Sequence, residues 1–232
     1  MPEEINRVVT DRLARLLFAP SRDAVHHLHL EGVSAERVHM VGNVMIDSLI
    51  WSTAAADRLH APARHGVADQ PYAVVTLHRP ANVDSEPVLR ELLETFVELG
   101  RHMPVLFPVH PRTRARLDRV STNGCLRLLP PVSYLEMLSL VRHASIVITD
   151  SGGLQEETSY LGVPCVTVRP NTERPITVTH GTNRLSPPER AALLDMVDEA
   201  LAHGIRPRSI ERWDGKAAER IADVLCNGAR FE

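Results

Sequence analysis

Closely spaced cysteines are missing from this chain. Cys125, Cys165 and Cys226 are odd in number and far apart, with no CxxC among them, so neither a disulfide framework nor a zinc site is indicated. Cys125 and Cys165 lie in apolar runs, where a small buried residue is the simple expectation. No stretch of about 18 apolar residues occurs, which excludes a membrane-spanning helix. The opening MPEEINR is charged rather than apolar, so no secretory signal is read and the expected location is cytoplasmic. Long runs of one charge are missing too. With 26 Lys and Arg against 29 Asp and Glu, the chain carries a net charge of -3 and lacks the basic stripe of a nucleic-acid binder.

What is present is an ordinary globular composition, 44% hydrophobic and 24% charged over 232 residues. That length suits one large domain or two small ones and hides roughly 70% of the unfolded surface. Short β-rich runs alternate with helical patterns. Strands are predicted at 16–19, 37–42, 72–78, 105–110, 125–130, 145–150 and 164–169. Helices are predicted at 3–14, 21–32, 44–59, 85–101, 111–119, 133–143, 152–161, 188–203 and 215–227. Strand followed by helix, repeated, predicts a doubly wound parallel α/β sheet. The continuously apolar strands near 74–77, 146–149 and 165–168 fit a sheet covered on both faces. Residues 60–71, polar and proline-containing, read as a loop that divides a first segment, 1–60, from a main domain, 61–232. The helix at 3–14 has no strand before it, an unusual start for such a sheet.

The strongest chemical signal is ITDSGGLQEETSYLGVP, 148–164. A strand ends at Asp150 and Ser-Gly-Gly opens a helix, the place where open α/β sheets bind ligands. Gly152 and Gly153 carry no Cβ, so a diphosphate can approach the backbone; free amides, the helix dipole and the Ser151 hydroxyl would hold it. Glu156 and Glu157 follow about a turn later, suited to the hydroxyls of a ribose. The alternative is that Ser-Gly-Gly only caps the helix and the glutamates face solvent. Three other strand ends carry polar groups. His78 and Arg79 close one strand before Pro80, with His78 suited to protonate or hydrogen-bond a leaving phosphate. His110 and Pro111 close another, with Arg112, Arg114 and Arg116 expected on a solvated helix face. Arg169, Glu173 and Arg174 follow the last strand, able to clamp phosphate or to pair among themselves, and His180 to Asn183 continue as a polar loop. Together these four strand ends describe a nucleotide-sugar pocket.

Read in order, the segments resemble the UDP-N-acetylglucosamine 2-epimerase family. PEEINR (2–7), GN with ID (42–47), TLHR with Asn82, PVHPRTR (108–114), TDSGGLQEE (149–157), TERP (172–175), GTNRL (181–185) and WDGKAAERI (213–221) carry the likeness over essentially the whole chain. The resemblance implies the C-terminal Rossmann-like domain of a glycosyltransferase-B type fold, with UDP bound mainly there. It implies interconversion of UDP-GlcNAc and UDP-ManNAc by elimination of UDP to a 2-acetamidoglucal and re-addition, without metal or nicotinamide, on nucleotide sugars that serve cell-envelope polysaccharides. By this resemblance Ser151, Gly152, Gly153 and Arg174 contact substrate, Glu157 binds the ribose and Tyr134 opens the segment near the uracil. His78 and Glu3 are then catalytic, while Arg79 and His110 meet a second, activating substrate molecule. Family members carry a further N-terminal domain before PEEINR, so the chain by itself is expected to bind UDP and to turn over little; a homodimer or a separately encoded N-terminal half would be its partner. Pro80-Ala81 in place of Arg-Glu, Ile176 after TERP and Ser186-Pro187-Pro188 after GTNRL depart from many members. A non-catalytic UDP-binding module, a glycosyltransferase of the same fold and a hydrolysing epimerase are the other readings.

Overall fold

The structure, a computed structural model, describes residues 2–109, 111–117, 124–203 and 209–227. Its strands are β1 (Leu17–Ala19), β2 (Val38–Met40), β3 (Ala73–Thr76), β4 (Val105–Pro108), β5 (Leu126–Leu129), β6 (Ile146–Thr149), β7 (Cys165–Val168) and β8 (Asn183–Ser186). Its helices are α1 (Pro2–Leu13), α2 (Arg22–Leu30), α3 (Val44–Asp57), α4 (Ala61–Arg64), α5 (Pro80–Val83), α6 (Glu86–Leu99), α7 (Pro111–Leu117), α8 (Tyr134–His143), α9 (Gly152–Leu161), α10 (Pro175–Thr179), α11 (Arg190–His203) and α12 (Ala217–Asn227). Among these none is long and apolar enough to cross a membrane. The chain forms two compact units, Met1–Ile50 with Ile210–Glu232, and Trp51–Ser209.

The first unit is built on a two-stranded parallel pairing of β1 with β2, Leu17 opposite Val38 and Ala19 opposite Met40. One cluster in it has Leu17, Leu28 and Val33 buried against Ala14 and Val38, and Val41, Ile46 and Leu49 are buried as well. Polar contacts do much of the joining. Arg7 of α1 bridges to Glu31 just past α2, and the Asp47 carboxylate accepts the first amides of α12, Ala217 and Ala218. The stripe Ile5, Val9, Leu13 on α1 is exposed.

The second unit holds a six-stranded, wholly parallel sheet in the order β5-β4-β3-β6-β7-β8. Alternation along each strand divides its residues between two faces. Ala73 and Val75 of β3, Phe107 of β4, Ile146 and Ile148 of β6 and Val166 of β7 face α6 and α11, meeting Leu92, Phe96, Leu193 and Val197. Val74, Leu106 and Val147 face the other way, toward Tyr72, Leu140, Val141 and Leu154. Phe96 and Phe107 pack edge to face at 6.1 Å. Both faces are therefore apolar, which is why the central strands read as unbroken hydrophobic runs. The order starts at β3, grows to β4 and β5 on one side and then returns to β6 on the other. Ligands settle at such a reversal, beyond the strands' carboxyl ends.

Four local expectations need correction. The loop expected over 60–71 contains α4, with Ala61 and Pro62 buried. The polar loop expected through Asn183 instead ends in β8, where Asn183 is 3% exposed and pairs opposite Cys165. Two further helices, α5 and α10, follow directly on His78-Arg79 and on Arg174. Each starts at a proline, whose fixed φ and missing N–H suit the first helical position. Cys165 is buried as expected, but Cys125 is only partly so.

Gly181, just before β8, sits where backbones and side chains crowd. A Cβ there would lie 2.2 Å from the Ser159 hydroxyl and 2.5 Å from the Thr177 carbonyl oxygen. Gly181→Ala is expected to lower unfolding free energy by about 1–3 kcal/mol in urea titration, as overpacking does; an unchanged midpoint would contradict the crowding.

Candidate functional site

At the reversal point β3 and β6 run side by side, Thr76 opposite Thr149, with their hydroxyls 2.7 Å apart. The next residue after β6 is Asp150, whose side chain is fully buried. Its carboxylate accepts from the backbone amides of His78 (3.1 Å) and Arg79 (2.9 Å), from the Asn82 side-chain amide (3.0 Å) and from His78 Nδ1 (2.7 Å). Burial pushes this acid upward, but the hydrogen bonds from His78, Arg79 and Asn82 outweigh it, and the carboxyl sits below its ordinary value. An ionised carboxylate only accepts, so the Nδ1 facing it carries the proton. The His78 ring is thereby fixed in orientation and stands 57% exposed, with Nε2 on its far side. Asn82 also donates to the Val168 carbonyl, which brings the end of β7 into the same arrangement.

Beside His78, α9 begins. Ser151 occupies its N-cap without making a capping hydrogen bond. Its backbone is held instead, since the Ser151 amide donates to the Thr149 hydroxyl at 3.0 Å. Gly162, at φ 74, closes the helix in the left-handed conformation that a glycine adopts most easily. The Arg174 guanidinium lies over this N-terminus, its carbon 3.5 Å from where a Cβ on Gly152 would be. Arg174 Nε is 3.3 Å from Glu156 Oε1.

Glu156 and Glu157 do not face solvent; they are 7% and 5% exposed. Burial raises the Glu157 carboxyl to about 7, against the pull of a hydrogen bond from Tyr134 and with a further push from Glu156. Tyr134, the first residue of α8, is correspondingly raised to about 12 by its own burial and by Glu157. That helix is placed by Ser133, whose hydroxyl accepts the Glu136 amide.

The third group follows β7. Arg169 and Glu173 form a two-point ion pair at 2.7 and 2.5 Å, which holds the Glu173 carboxyl down at about 2. Arg79 reaches the same glutamate only at 3.8 Å, and its buried Nε has no hydrogen-bond partner among the described residues.

The structure thus gathers His78, Arg79, Ser151, Gly152, Gly153 and Arg174 around the carboxyl ends of β3, β6 and β7, with Glu157 further along α9 and Tyr134 bonded to it. Glu3 lies in the first turn of α1, in the other unit, with its side chain outside the described residues; His110 lies outside them altogether. Arg114 and Arg116 are exposed, as expected of a solvated face. The residues missed as participants are Asp150 and Asn82. Their signal was available in sequence, an acid directly after an apolar strand and an amide four residues after the histidine it helps to hold.

A family model described as UDP-N-acetylglucosamine 2-epimerase matches residues 1–226. The UDP-N-acetylglucosamine 2-epimerase of Methanocaldococcus jannaschii is 37% identical over 98% of this chain, which spans 65% of that protein's length. The UDP-2,3-diacetamido-2,3-dideoxy-D-glucuronate 2-epimerase of Pseudomonas aeruginosa is 37% identical over 97% of the chain, which spans 63% of it. Among solved structures, the Methanocaldococcus jannaschii UDP-GlcNAc 2-epimerase in complex with UDP-GlcNAc and UDP is similar at a TM-score of 0.85 and 36% identity, over 97% of this chain and 65% of that one.

Two of the buried carboxylates, Asp150 and Glu157, predict opposite pH behaviour. Asp150 is easier to ionise folded than unfolded, so its contribution is present above about pH 3.8 and is lost as pH falls through its lower folded value. Asp150→Asn is expected to cost roughly 3 kcal/mol at pH 7, with the difference from wild type closing in acid. Glu157 is harder to ionise folded than unfolded. Its ionisation leaves stability intact below 4.5 and erodes it up to about pH 7. Glu157→Gln should therefore match wild type at pH 4 and exceed it at pH 8 by on the order of 3 kcal/mol in denaturant titrations; equal stability at pH 8 would refute the shift.

Proposed function

The chain belongs to the UDP-N-acetylglucosamine 2-epimerase family, and on that premise we propose that the site at the start of α9 binds the UDP moiety of a nucleotide sugar and serves inversion at its C2 carbon. The observation that carries this reading is the juxtaposition of the oriented His78 ring, the α9 N-terminus under Arg174, and the Glu157 carboxylate. An anion fits the helix start, where the amides of the first turn and a guanidinium point. A ribose fits Glu157, which accepts hydroxyl protons once Tyr134 gives way.

The reaction is an elimination followed by its reverse with inversion. A base removes the C2 proton while the C1–O bond breaks, so UDP leaves with the bonding pair and a 2-acetamidoglucal remains. A proton returns to C2 on the opposite face and a UDP oxygen re-forms the bond to C1. His78 is assigned to the departing phosphate: with Nδ1–H held by Asp150, the ring donates from its exposed Nε2 when it carries a second proton, and so stabilises the charge that develops on the leaving oxygen. Glu3 is assigned to the proton transfers on its match to the family's PEE motif, and Arg79 and His110 to a second substrate molecule, on the same footing. The setting we assign is the cytoplasm, on nucleotide sugars for cell-envelope polysaccharides.

The chain spans 65% of the Methanocaldococcus relative. Differential stabilisation of the transition state needs a complete cleft, so we assign turnover to a protein that has the rest of that length, with a homodimer or a separately encoded half as proposed partners. One observation favours a second substrate. The relative named for a diacetamido glucuronate is as similar to this chain as the one named for N-acetylglucosamine.

NMR titration of the chain with UDP, CDP and ADP is the direct test. Saturable binding of UDP in preference to the other two is expected, and no binding at millimolar UDP would remove the reading. Incubation with UDP-N-acetylglucosamine and no acceptor then sorts the activities. The C2 epimer of the nucleotide sugar marks the epimerase, free UDP with N-acetylmannosamine a hydrolysing enzyme, and binding without product a UDP-binding module. Where turnover occurs, His78→Asn should lower kcat by about 100-fold or more, as removal of a general acid does.

A further inference from the structure

Among the described residues, Gln155 is fully buried one turn inside α9, yet it is bonded to three separate segments. Its Nε2 donates to the Ser151 carbonyl at 3.2 Å. Its Oε1 accepts from the Thr172 hydroxyl at 2.5 Å and from the Asn183 side-chain amide at 3.1 Å. The same two partners lead onward to one residue. Thr172 Oγ1 accepts the Arg174 amide at 2.9 Å, and Asn183 donates at 3.1 Å to Thr177, whose hydroxyl donates at 2.7 Å to the Arg174 carbonyl. Asn183 is itself anchored in the sheet, accepting from Thr167 at 2.6 Å.

We propose that Gln155 is the positioning residue for the anion-binding face of the site, tying the Ser151 turn and the backbone of Arg174 into one rigid unit. Both polar groups of the Arg174 backbone are taken by hydroxyls of this network, so the guanidinium is delivered over Gly152 by partly buried hydrogen bonds to its backbone as well as by its own reach. The chemistry demands an amide. The position needs a donor toward the Ser151 carbonyl and an acceptor toward Thr172 and Asn183 at once, and glutamine carries both on one planar group. A glutamate would set an oxygen against the Ser151 carbonyl and bury a charge; a methionine would take one hydrogen bond away from each of three partners. Tyr134 and Glu157, assigned above to the nucleoside, bond to each other outside this network. Gln155 therefore acts on affinity for the diphosphate through Arg174.

The inference rests on the assignment of this site to UDP. Its test is a double-mutant cycle on the whole chain, with UDP dissociation constants read by NMR titration for wild type, Gln155→Met, Arg174→Ala and the double variant. Gln155→Met is expected to weaken UDP by about tenfold in the presence of Arg174 and by less than about twofold in its absence. A change within twofold in the wild-type background overturns the proposal, and so does an equal loss in both backgrounds, which would mark a general loosening. Failure of the wild-type chain itself to bind UDP removes the site assignment instead, and is seen before any variant is made. Should Gln155→Met not fold, Thr172→Val enters the same cycle with the same two criteria, and Thr172→Ser, which keeps the hydroxyl, must restore wild-type affinity.

Discussion

The arrangement of the site depends on one carboxylate. Asp150 emerges from β6 into the interior, where an unpaired charge would be intolerable, and it is stable there because four donors converge on it. Those donors belong to the turn after β3 and to α5. Satisfying the charge therefore fixes how the chain leaves β3, which way the His78 ring turns and where α5 begins. Asn82 extends the same constraint to β7 through the Val168 carbonyl. Three strand ends are locked at the point where the sheet reverses direction, and the residues that face solvent there inherit a fixed geometry at no conformational cost of their own.

Around that anchor, acids of similar intrinsic strength are driven apart by their surroundings. Asp150 is held ionised by hydrogen bonds, and Glu173 by the two-point contact with Arg169. Glu157, nearly as buried as Asp150 but with a tyrosine hydroxyl as its bonding partner and a second glutamate beside it, is raised to about 7. The first two are permanent charges that order cations and amides. The third is poised to change state near neutrality, at the position we assign to the ribose hydroxyls. Burial alone does not set the role of a carboxylate here; the count of donors does.

Much of this was legible in the sequence. The central strands announce themselves because helices cover both faces, and the strand-end rule led directly to His78 and to Ser151-Gly152-Gly153. What stayed hidden shares one cause. β8 was missed because NRLS carries no apolar run, its Asn183 being buried for hydrogen bonding rather than for hydrophobicity. α5 and α10 were missed because each is a single turn or little more behind a proline, too short for a helical period to show. Asp150 after its strand and Asn82 after His78 stand in plain view, but their bond to each other, 68 positions apart, leaves no local pattern, and neither do the bonds of Gln155 to Thr172 and Asn183, 17 and 28 positions on. Periodicity reports what water drives inward. Polar networks are specified by geometry, which appears only once the chain has folded.

The strand order also sets a timetable for synthesis and folding. β3 lies at the centre of the sheet, but its neighbour β6 follows about seventy residues later, after β4 and β5 have been added on the other side. A chain made from its N-terminus exposes the flank of β3 throughout that interval, and the loop that must close is long. His78 emerges with no acid to orient it, and Arg174 and Asn183 are later still. Ligand-competent geometry is thus among the last properties the second unit acquires. A nascent chain would hold most of its secondary structure before the site we assign to a nucleotide is complete, so gain of binding would report completion of the fold more faithfully than gain of helix content.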